Sequence, residues 1–370
     1  MYDVIVVGAG PAGSAAAYYL SVAGLKVLLL EKQKLPRQKP CGGGISEKFI
    51  SSLPWAAAGA VRGRVNRIRY TYGNGDPFET AMDWQLALVD RRAFDQSLTE
   101  AAAAAGTEVK DGLPVTGLEL AADRIKVLTG QGKFEAKYLI GADGVYTRIG
   151  AWSGLIRRRR IGSALEVEVS GLEQDRQTAC IGFGLVRQGY SWSFPKGDYC
   201  SVGIGGRHGG QLRLELDRWL DQLGYRGERK FKVHGHALPE AIIGARLQQG
   251  NILLAGDAAG LVNPLTGEGI RYAIQSARIA AEAIVAGKIT DYSRLVRERI
   301  TGDFRYSYWI RALFFIRPEF CYRFFVKNAT ASRSLSRAFC GDATFQDLFY
   351  SCAKKMIDQS GWLKGRFVRA

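Results

Sequence analysis

The first thirty residues constrain the fold more than any other part of the chain. They contain an apolar strand, a glycine-rich turn, a helix and a second apolar strand, DVIVVGAGPAGSAAAYYLSVAGLKVLLLEK. Gly8, Gly10 and Gly13 form a GxGxxG motif, which permits a tight turn, close approach of a pyrophosphate and close helix–strand packing. The helix N-terminus at Pro11–Gly13, which includes the candidate cofactor-binding residue Ala12, offers free N–H groups and a positive dipole end to phosphates. We therefore predict a dinucleotide-binding βαβ unit; helix packing alone is the other reading of the glycines.

An acidic residue closes the second strand of this unit. Glu31 is placed to accept hydrogen bonds from a ribose diol, and its charge would repel a 2′-phosphate. Lys32 and Arg37 follow it and are candidate cofactor-binding residues, although basic side chains after a strand can also be merely solvated. No second GxGxxG marks a separate nicotinamide domain, so NADPH would bind transiently, or a small redox protein such as ferredoxin would supply electrons.

Two later segments have the same strand-then-glycine pattern. YLIGADG ends in a turn that contains Asp143, and NILLAGDAAGLVNPLTGEGIRYAIQSA runs from a buried strand into a helix predicted to begin near Gly267. A carboxylate at a strand end can bind ribityl hydroxyls, and a helix N-terminus can face an anionic ring or a pyrophosphate. Either segment alone could be an ordinary strand–turn–helix corner. The candidate cofactor-binding residues of the second segment are Gly256, Asp257, Gly267, Gly269 and Ile270.

Together the three motifs resemble the FAD-binding set of the para-hydroxybenzoate hydroxylase-like flavoproteins. The resemblance implies an α/β chain with a Rossmann-like FAD-binding domain over residues 1–160 and 245–290. It also implies that Glu31 binds the adenosine ribose and that Asp257 binds the ribityl chain. VDRRAFDQSL resembles the start of a helix in which Arg91 would approach FAD, although by residue type alone Arg91 could be a surface or capping arginine.

Residues 161–244 have the alternation of an antiparallel sheet, and residues 60–100 are expected to contribute partly to the same substrate domain. Turn-forming residues 195–198 separate two strands of GYSWSFPKGDYCSVGIGG and predict a hairpin. The aromatic residues along these strands recur at every second position and suggest one wall of an apolar pocket, with ordinary sheet packing as the alternative. They are Phe183, Tyr190, Trp192 and Phe194.

A second resemblance concerns the substrate. Gly189–Gly205 resembles the YxWxFPKG…VGxG signature of the geranylgeranyl reductases, and PCGGG at Pro40–Gly44 resembles another signature of that family. The family implies FAD-dependent reduction of isoprenoid double bonds in membrane lipids, chlorophyll side chains or quinone tails. Candidate catalytic residues are Cys41, Gly42, Tyr190 and Trp192.

The cysteine of PCGGG has two readings. Cys41 is a candidate proton donor or a group that tunes the flavin, because a thiol with a pKa near 8.5 is mostly protonated at neutral pH; a small buried apolar residue is the alternative. Gly42 and Gly43, which are also candidate cofactor-binding residues like Cys41, let the backbone approach a planar ring or alkene.

Charge and aromatic content suggest an anionic partner. The chain has 370 residues with 51 Lys and Arg against 35 Asp and Glu, a formal net charge of +16. The basic residues follow no nucleic-acid motif, so a membrane surface is favoured over nucleic acid; RRRR at 157–160 can equally be a solvated cluster. Residues 291–370 are expected to form a helical, basic and aromatic region. Arginines recur there every six residues, so they share no helix face, and helices packed in the core are the alternative to an interfacial role.

Cysteine usage and the N-terminus bear on location. The six cysteines are scattered without CxxC pairs, so we expect no metal site, a reducing cytoplasm and at most one local bridge among Cys321, Cys340 and Cys352. Met1 leads directly into a strand, and glycines break the uncharged run 4–25, so neither a signal peptide nor a spanning helix is expected. We predict a monomeric protein that associates peripherally with the membrane.

Three functions compete at this point. The first is an FAD-dependent reductase acting on a prenylated lipid. The second is a flavin-dependent hydroxylase or halogenase, which would consume O2 with its substrate, but the halogenase lysine signature is missing from the sequence. The third is a prenyl-binding escort protein without redox chemistry, against which the intact FAD motifs speak.

Overall fold

The computed structural model describes residues 1–360 except 56, 74, 122, 157–159, 208–210, 226 and 228–230, and within the helices it leaves out the side chains of 329, 340 and 355–360. The basic cluster 157–160 therefore lies largely outside the described residues. The strands are β1 (Tyr2–Val7), β2 (Val27–Leu30), β3 (Gly44–Ser46), β4 (Val61–Tyr72), β5 (Gly75–Val89), β6 (Glu108–Lys110), β7 (Val115–Leu120), β8 (Ile125–Thr129), β9 (Gly132–Gly141), β10 (Ile161–Ser170), β11 (Thr178–Phe183), β12 (Gly189–Lys196), β13 (Tyr199–Gly206), β14 (His234–Pro239), β15 (Gln248–Gln249) and β16 (Ile252–Leu254). The helices are α1 (Pro11–Val22), α2 (Glu47–Ser51), α3 (Arg91–Ala104), α4 (Arg148–Trp152), α5 (Leu212–Gln222), α6 (Ile270–Val285), α7 (Tyr292–Val296), α8 (Gly302–Ile316), α9 (Pro318–Cys321), α10 (Ala329–Cys340) and α11 (Phe345–Ser360).

The first sheet carries the dinucleotide motif. Its main path runs in the order β15-β16-β9-β1-β2-β6, and β1 is parallel to both β2 and β9. Val4, Ile5 and Val6 of the central strand β1 are fully buried, and α1 packs on β1 and β2 and in turn contacts α3 and α6. A Cβ on Gly13 would lie 1.8 Å from the carbonyl oxygen of Gly8, so only glycine allows α1 to approach the sheet this closely. The predicted βαβ unit is confirmed.

The second sheet has eight strands in the order β14-β10-β13-β12-β11-β4-β5-β3. All its pairs are antiparallel except β11 with β4, which are parallel. Strands β12 and β13 form the predicted hairpin, in which Lys196 pairs with Tyr199 across a two-residue turn. Gly197 in that turn has φ +75°, a left-handed conformation that glycine adopts without a steric penalty. The α/β architecture with an antiparallel sheet and C-terminal helices agrees with the prediction.

Two helix boundaries show local causes. Helix α6 begins at Ile270 rather than near Gly267, because Gly267 has φ +69° and cannot belong to a right-handed helix in that conformation. The aromatic segment at 304–328 is broken as predicted, with α8 ending at Ile316 and α9 beginning at Pro318. Among the described helices, none combines the length and apolar character needed to cross a bilayer.

The cysteines are reduced where their side chains are described. Cys41, Cys180, Cys200, Cys321 and Cys352 carry thiols rather than disulfides. The side chain of Cys340 lies outside the described residues. The other two C-terminal cysteines, Cys321 and Cys352, are among these thiols.

Candidate active site

The glycine loop after β1 forms a cradle at the N-terminus of α1. Gly8 has φ +102°, and a Cβ there would lie 2.4 Å from the carbonyl oxygen of Ala142, so the turn requires glycine. A Cβ on Gly10 would lie 3.2 Å from Nη2 of Arg37. No described side chain caps this N-terminus. Free N–H groups and a guanidinium therefore face the same small space, which suits the pyrophosphate of FAD.

A buried network of alternating charges runs from Glu31 towards Cys41. Glu31 accepts hydrogen bonds from the N–H groups of Ala9 at 2.8 Å and Gln33 at 3.0 Å, and Nε of Arg37 lies 3.5 Å from its carboxylate. Arg37 also pairs with Asp95 at 3.2 Å. Nε and Nη2 of Arg91 each donate to Asp95 at 2.9 Å. The predicted residues Glu31, Arg37 and Arg91 are thus joined through Asp95, which the sequence analysis did not single out.

Arg91 also interacts with Cys41. Burial by itself lowers the pKa of Arg91, but the Asp95 carboxylate and the Cys41 sulfur outweigh it and raise the pKa above its ordinary value. The guanidinium therefore stays charged at every physiological pH. The alternative of a surface arginine does not fit, because Arg91 is buried.

Asp257 occupies the start of the turn after β16. Its carboxylate is 3.2 Å from Nζ of Lys39 and 3.9 Å from Nε2 of His236. Burial opposes its charge, but Lys39 and His236 hold the pKa of Asp257 well below its usual range. A Cβ on Gly269 would lie 3.5 Å from Oδ1 of Asp257, so the N-terminus of α6 and this carboxylate adjoin.

The remaining predicted cofactor residues divide into two groups. Gly256 has φ +58° and lies against Ala12, since a Cβ on Gly256 would be 2.8 Å from the Ala12 Cβ. In contrast, the carboxylate of Asp143 accepts from Thr147 Oγ1 at 2.6 Å and from the N–H of Arg148 at 2.7 Å, and Thr147 is the N-cap of α4. Lys32 is exposed after β2. Gly256 and Ala12 thus lie at the cradle, whereas the described contacts of Asp143 are with the N-terminus of α4.

The PCGGG segment connects the two sheets. It leads into β3, where Gly44 pairs with Leu88 of β5. A Cβ on Gly42 would lie 3.0 Å from Phe194 and 3.2 Å from Nε1 of Trp192, so bare backbone packs on these rings. Gly43 has φ +72°, and its Cβ would lie 2.3 Å from the carbonyl oxygen of Val89. Gly43 is therefore required by its conformation and by close backbone packing, whereas Gly42 is closely packed against side chains only.

A large apolar cavity of about 380 Å³ opens beside this segment. Its walls are formed by the PCGGG segment, the turn 262–270 before α6, strands of the second sheet, and helices α8, α10 and α11. The hydroxyl of Tyr190 donates to the carbonyl oxygen of Thr266 at 2.6 Å and ties the sheet to that turn. Burial raises the pKa of Tyr190. The predicted aromatic wall lines this cavity with Phe183, Tyr190, Trp192 and Phe194.

A second cavity, of about 390 Å³, lies on the other side of Cys41 and is polar. The sequence analysis missed its buried members Lys196 and Glu166. Nζ of Lys196 donates to the carbonyl oxygen of Cys41 at 3.2 Å. Oγ of Ser201 donates to Glu166 at 2.5 Å. In ALEVEVSG, Glu166 alternates with Leu165 and Val167 and shares a face with Glu168, so the sequence pattern provided no signal that Glu166 would be buried.

The comparisons with known proteins agree with this geometry. The family model for an FAD binding domain matches residues 1–176. A digeranylgeranylglycerophospholipid reductase of Methanococcus vannielii is 34% identical over 76% of each chain. An uncharacterised protein of Methanosarcina barkeri is 30% identical over 100% of this chain and 98% of its own length.

Solved structures share the fold over nearly the whole chain. A geranylgeranyl bacteriochlorophyll reductase-like protein from Thermoplasma acidophilum has a TM-score of 0.82 and 25% identity, covering 96% of this chain and 99% of that one. A flavin-dependent brominase has a TM-score of 0.78 at 20% identity over 97% of this chain and 99% of its own, a likeness of fold alone. The cradle, the PCGGG segment and the reductase relatives together place this chain in the geranylgeranyl reductase family of FAD-dependent oxidoreductases.

Proposed function

We propose that this enzyme saturates carbon–carbon double bonds of a geranylgeranyl or related polyprenyl chain on a lipid, such as an archaeal-type phospholipid, a quinone or a chlorophyll precursor. The observation that carries the proposal is the apolar cavity, whose wall includes the PCGGG segment and the turn before α6. An isoprenoid chain is apolar and long, and a cavity of this composition removes it from water. The name of the Methanococcus vannielii relative supports a prenylated phospholipid.

FAD fits the described residues. The cradle of Gly8, Gly10 and Gly13, with Arg37 opposite, would hold the pyrophosphate, and Glu31 and Asp257 would hold the ribose and the ribityl chain. When it is bound and reduced, FAD supplies a hydride. The N-terminus of α6 offers N–H groups to an electron-rich ring beside Asp257. These residues bind and orient the cofactor, and NADPH or a small redox protein such as ferredoxin is the proposed electron donor.

The chain itself must hold the alkene and provide a proton. An isolated alkene is a poor hydride acceptor, so positioning against the cofactor supplies much of the rate. Gly42, backed by Trp192 and Phe194, leaves room for a flat group to approach the backbone. Cys41 lines the apolar cavity, and the thiol can donate a proton to the second alkene carbon.

The test uses the purified FAD-loaded protein without oxygen. The flavin is reduced with dithionite, a geranylgeranyl phospholipid is added, and reoxidation is followed by absorbance with the product mass. We expect reoxidation without O2 and a mass gain of two hydrogens per reduced bond. Reoxidation only after air is admitted, with oxygen in the product, would instead establish a monooxygenase or halogenase, the second candidate favoured by the brominase-like fold. A purified protein without bound flavin would favour the escort function.

Membrane association is part of this proposal. Exposed apolar side chains form a stripe at helical spacing along α8, where Trp309 is 51% and Ile316 75% exposed, and Phe320 of α9 is 50% exposed. Leu313 belongs to the same stripe and also lines the apolar cavity. Exposed arginines, among them Arg317, flank it, and the net charge of +16 favours an anionic surface. A lipid could then pass from the bilayer into the cavity without crossing water. We propose that the enzyme acts in this way as a monomer bound peripherally to the membrane.

A further inference from the structure

The polar cavity adjoins the apolar cavity along a shared wall. The residues that line both are Pro40, Cys41, Glu166 and His234. The polar cavity is bounded by groups of both charges, which include Lys39, Arg91, Lys196, Asp90 and Glu168. Its volume of about 390 Å³ has space for several water molecules, at roughly 30 Å³ each. A polar cavity that can hold water and an apolar cavity therefore share one wall, and these four residues are called the partition below.

The proposed reaction needs a proton on the dry side. Breaking the π bond forms two C–H bonds: one carbon receives a hydride with its two electrons from the reduced cofactor, and the other receives a proton. The proton leaves an acid in the cavity wall, and that acid must regain a proton from water before the next bond is reduced. Each saturated bond therefore consumes one proton that has to cross the partition.

Among the described residues, three carboxylates line the apolar cavity: Glu166, Glu240 and Glu268. Glu240 pairs with Arg311 at 3.1 Å, and Glu268 pairs with Arg271 at 2.8 Å. Both of these carboxylates are therefore held by a guanidinium group. Glu166 is 8% exposed, belongs to no ion pair in the described part of the chain, and is the carboxylate shared with the polar cavity.

Within the described part of the chain, the Glu166 carboxylate forms a hydrogen bond through its Oε1 oxygen only. Nε1 of Trp192 lies 3.4 Å from Oγ of Ser201 and can only donate. Ser201 accepts from it and gives its own proton to Oε1 of Glu166 at 2.5 Å. Oε2 is then the oxygen that can take a proton from water and release it. Cross-strand pairing places the backbone of Glu166 opposite His234 of β14 and Gly203 of β13, which fixes the carboxylate in the partition.

We propose that the polar cavity is the proton inlet of the enzyme and that Glu166 relays protons from its water to the apolar cavity, where they reach the alkene or recharge the Cys41 thiol. This inference rests on the proposed reductase function. Ser201 and Trp192 act as positioning residues that orient the carboxylate. His234 is the neighbouring group in the same wall that could perform the relay instead.

The kinetic test compares Glu166→Gln, Glu166→Asp and His234→Asn in the FAD-loaded protein. In an anaerobic single turnover with a geranylgeranyl phospholipid, we expect Glu166→Gln to slow flavin reoxidation about a hundredfold, as loss of an acid catalyst does. Glu166→Asp should restore part of the rate, and added formic acid should rescue Glu166→Gln. Glu173→Gln, an exposed residue outside both cavities, should match wild type. An unimpaired Glu166→Gln, or a loss seen only with His234→Asn, would overturn the assignment.

A second measurement needs no turnover. After acidification, the infrared difference between wild type and Glu166→Gln isolates the stretch of the Glu166 carboxylic acid. We expect that band to shift within minutes of transfer to D2O, because the polar cavity admits water. A band that stays unshifted for hours would refute the inlet even if reduction is observed. Failure of wild type to reduce any prenyl lipid, with the band shifting, would refute the proposed function and leave a solvent-accessible buried acid without a reaction to serve.

Discussion

Two glycines on one face of β13 provide a matched test of how Trp192 is held. A Cβ on Gly203 would lie 2.1 Å from Cζ2 of Trp192, whereas a Cβ on Gly205 would be 3.8 Å from the same indole and 3.4 Å from the nearest atom, the Ala164 Cβ. Carbon atoms make ordinary contacts from about 3.4 Å, so in Gly203→Ala the indole must withdraw by about 1.3 Å. Gly205→Ala needs no movement.

The direction of withdrawal sets the cost. Nε1 of Trp192 is already 3.2 Å from the position of a Cβ on Gly42, and the backbone of Trp192 is fixed by a 2.9 Å hydrogen bond from Trp219 Nε1 to its carbonyl oxygen. Overpacking of this kind costs about 1–3 kcal/mol. Gly205→Ala should instead be neutral or stabilising by about 0.4–1 kcal/mol, because alanine restricts the unfolded chain.

Urea denaturation followed by circular dichroism measures both variants, first without FAD and then with it in excess. We expect Gly203→Ala to lower the free energy of unfolding by about 1–3 kcal/mol and to slow anaerobic reoxidation by lipid, since the displaced indole crowds Gly42. Equal free energies of unfolding for the two alanine variants would refute the reasoning, because the glycines differ chiefly in their distance from Trp192.

Three other predictions follow from the site and the surface. Asp257→Asn should weaken FAD binding, measured by flavin fluorescence. The loss of unfolding free energy in this variant should be constant above about pH 5 and shrink as the pH falls below about 4. The pKa of Asp257 is depressed in the folded protein, so its stabilising contribution is present above the unfolded pKa near 3.9 and is lost as the pH falls towards the folded pKa; a loss that grows in acid would contradict this. Cys41→Ser should slow reoxidation by lipid while FAD stays bound, and unchanged stopped-flow kinetics would remove Cys41 from proton transfer. Ile316→Glu should reduce co-sedimentation with anionic vesicles by severalfold. Leu214→Glu on α5, where an aliphatic side chain is also exposed, should not reduce it. Equal vesicle binding by the two variants would argue against the stripe.

The sequence was most informative where a single residue type satisfies a steric requirement. Gly8 and Gly13 fix the βαβ unit because a side chain at either would overlap backbone, and the two-residue turn at Gly197 fixes the hairpin. It was less informative about side chains with two chemically equivalent uses. Asp143 follows a strand in a glycine-rich turn, and that pattern did not reveal that its carboxylate accepts hydrogen bonds from Thr147 Oγ1 and from the N–H groups of Arg148 and Ile149.

Partners distant in the chain were not predictable. The parallel pairing of β11 with β4 joins segments about a hundred residues apart, and no local pattern specifies it. The link that Asp95 of α3 makes between Arg37 and Arg91 was not predictable either, because Arg37 lies far from Asp95 in the sequence. Glu166 faces the partition because β10 lies between β13 and β14, and that order is a property of the whole sheet.

The PCGGG segment is hydrogen-bonded to the chain directly before α3. The carbonyl oxygen of Gly43 accepts a hydrogen bond from the N–H of Val89 at 2.9 Å, and Asp90, the next residue, caps α3 through the N–H of Ala93 at 2.8 Å. A single peptide thus connects the PCGGG segment to the helix that carries Arg91. Occupation of the cradle should stiffen this connection, so the amide of Val89 becomes a natural reporter of cofactor binding, whose exchange with deuterium slows when FAD is added and quickens when the loop is loosened by substitution.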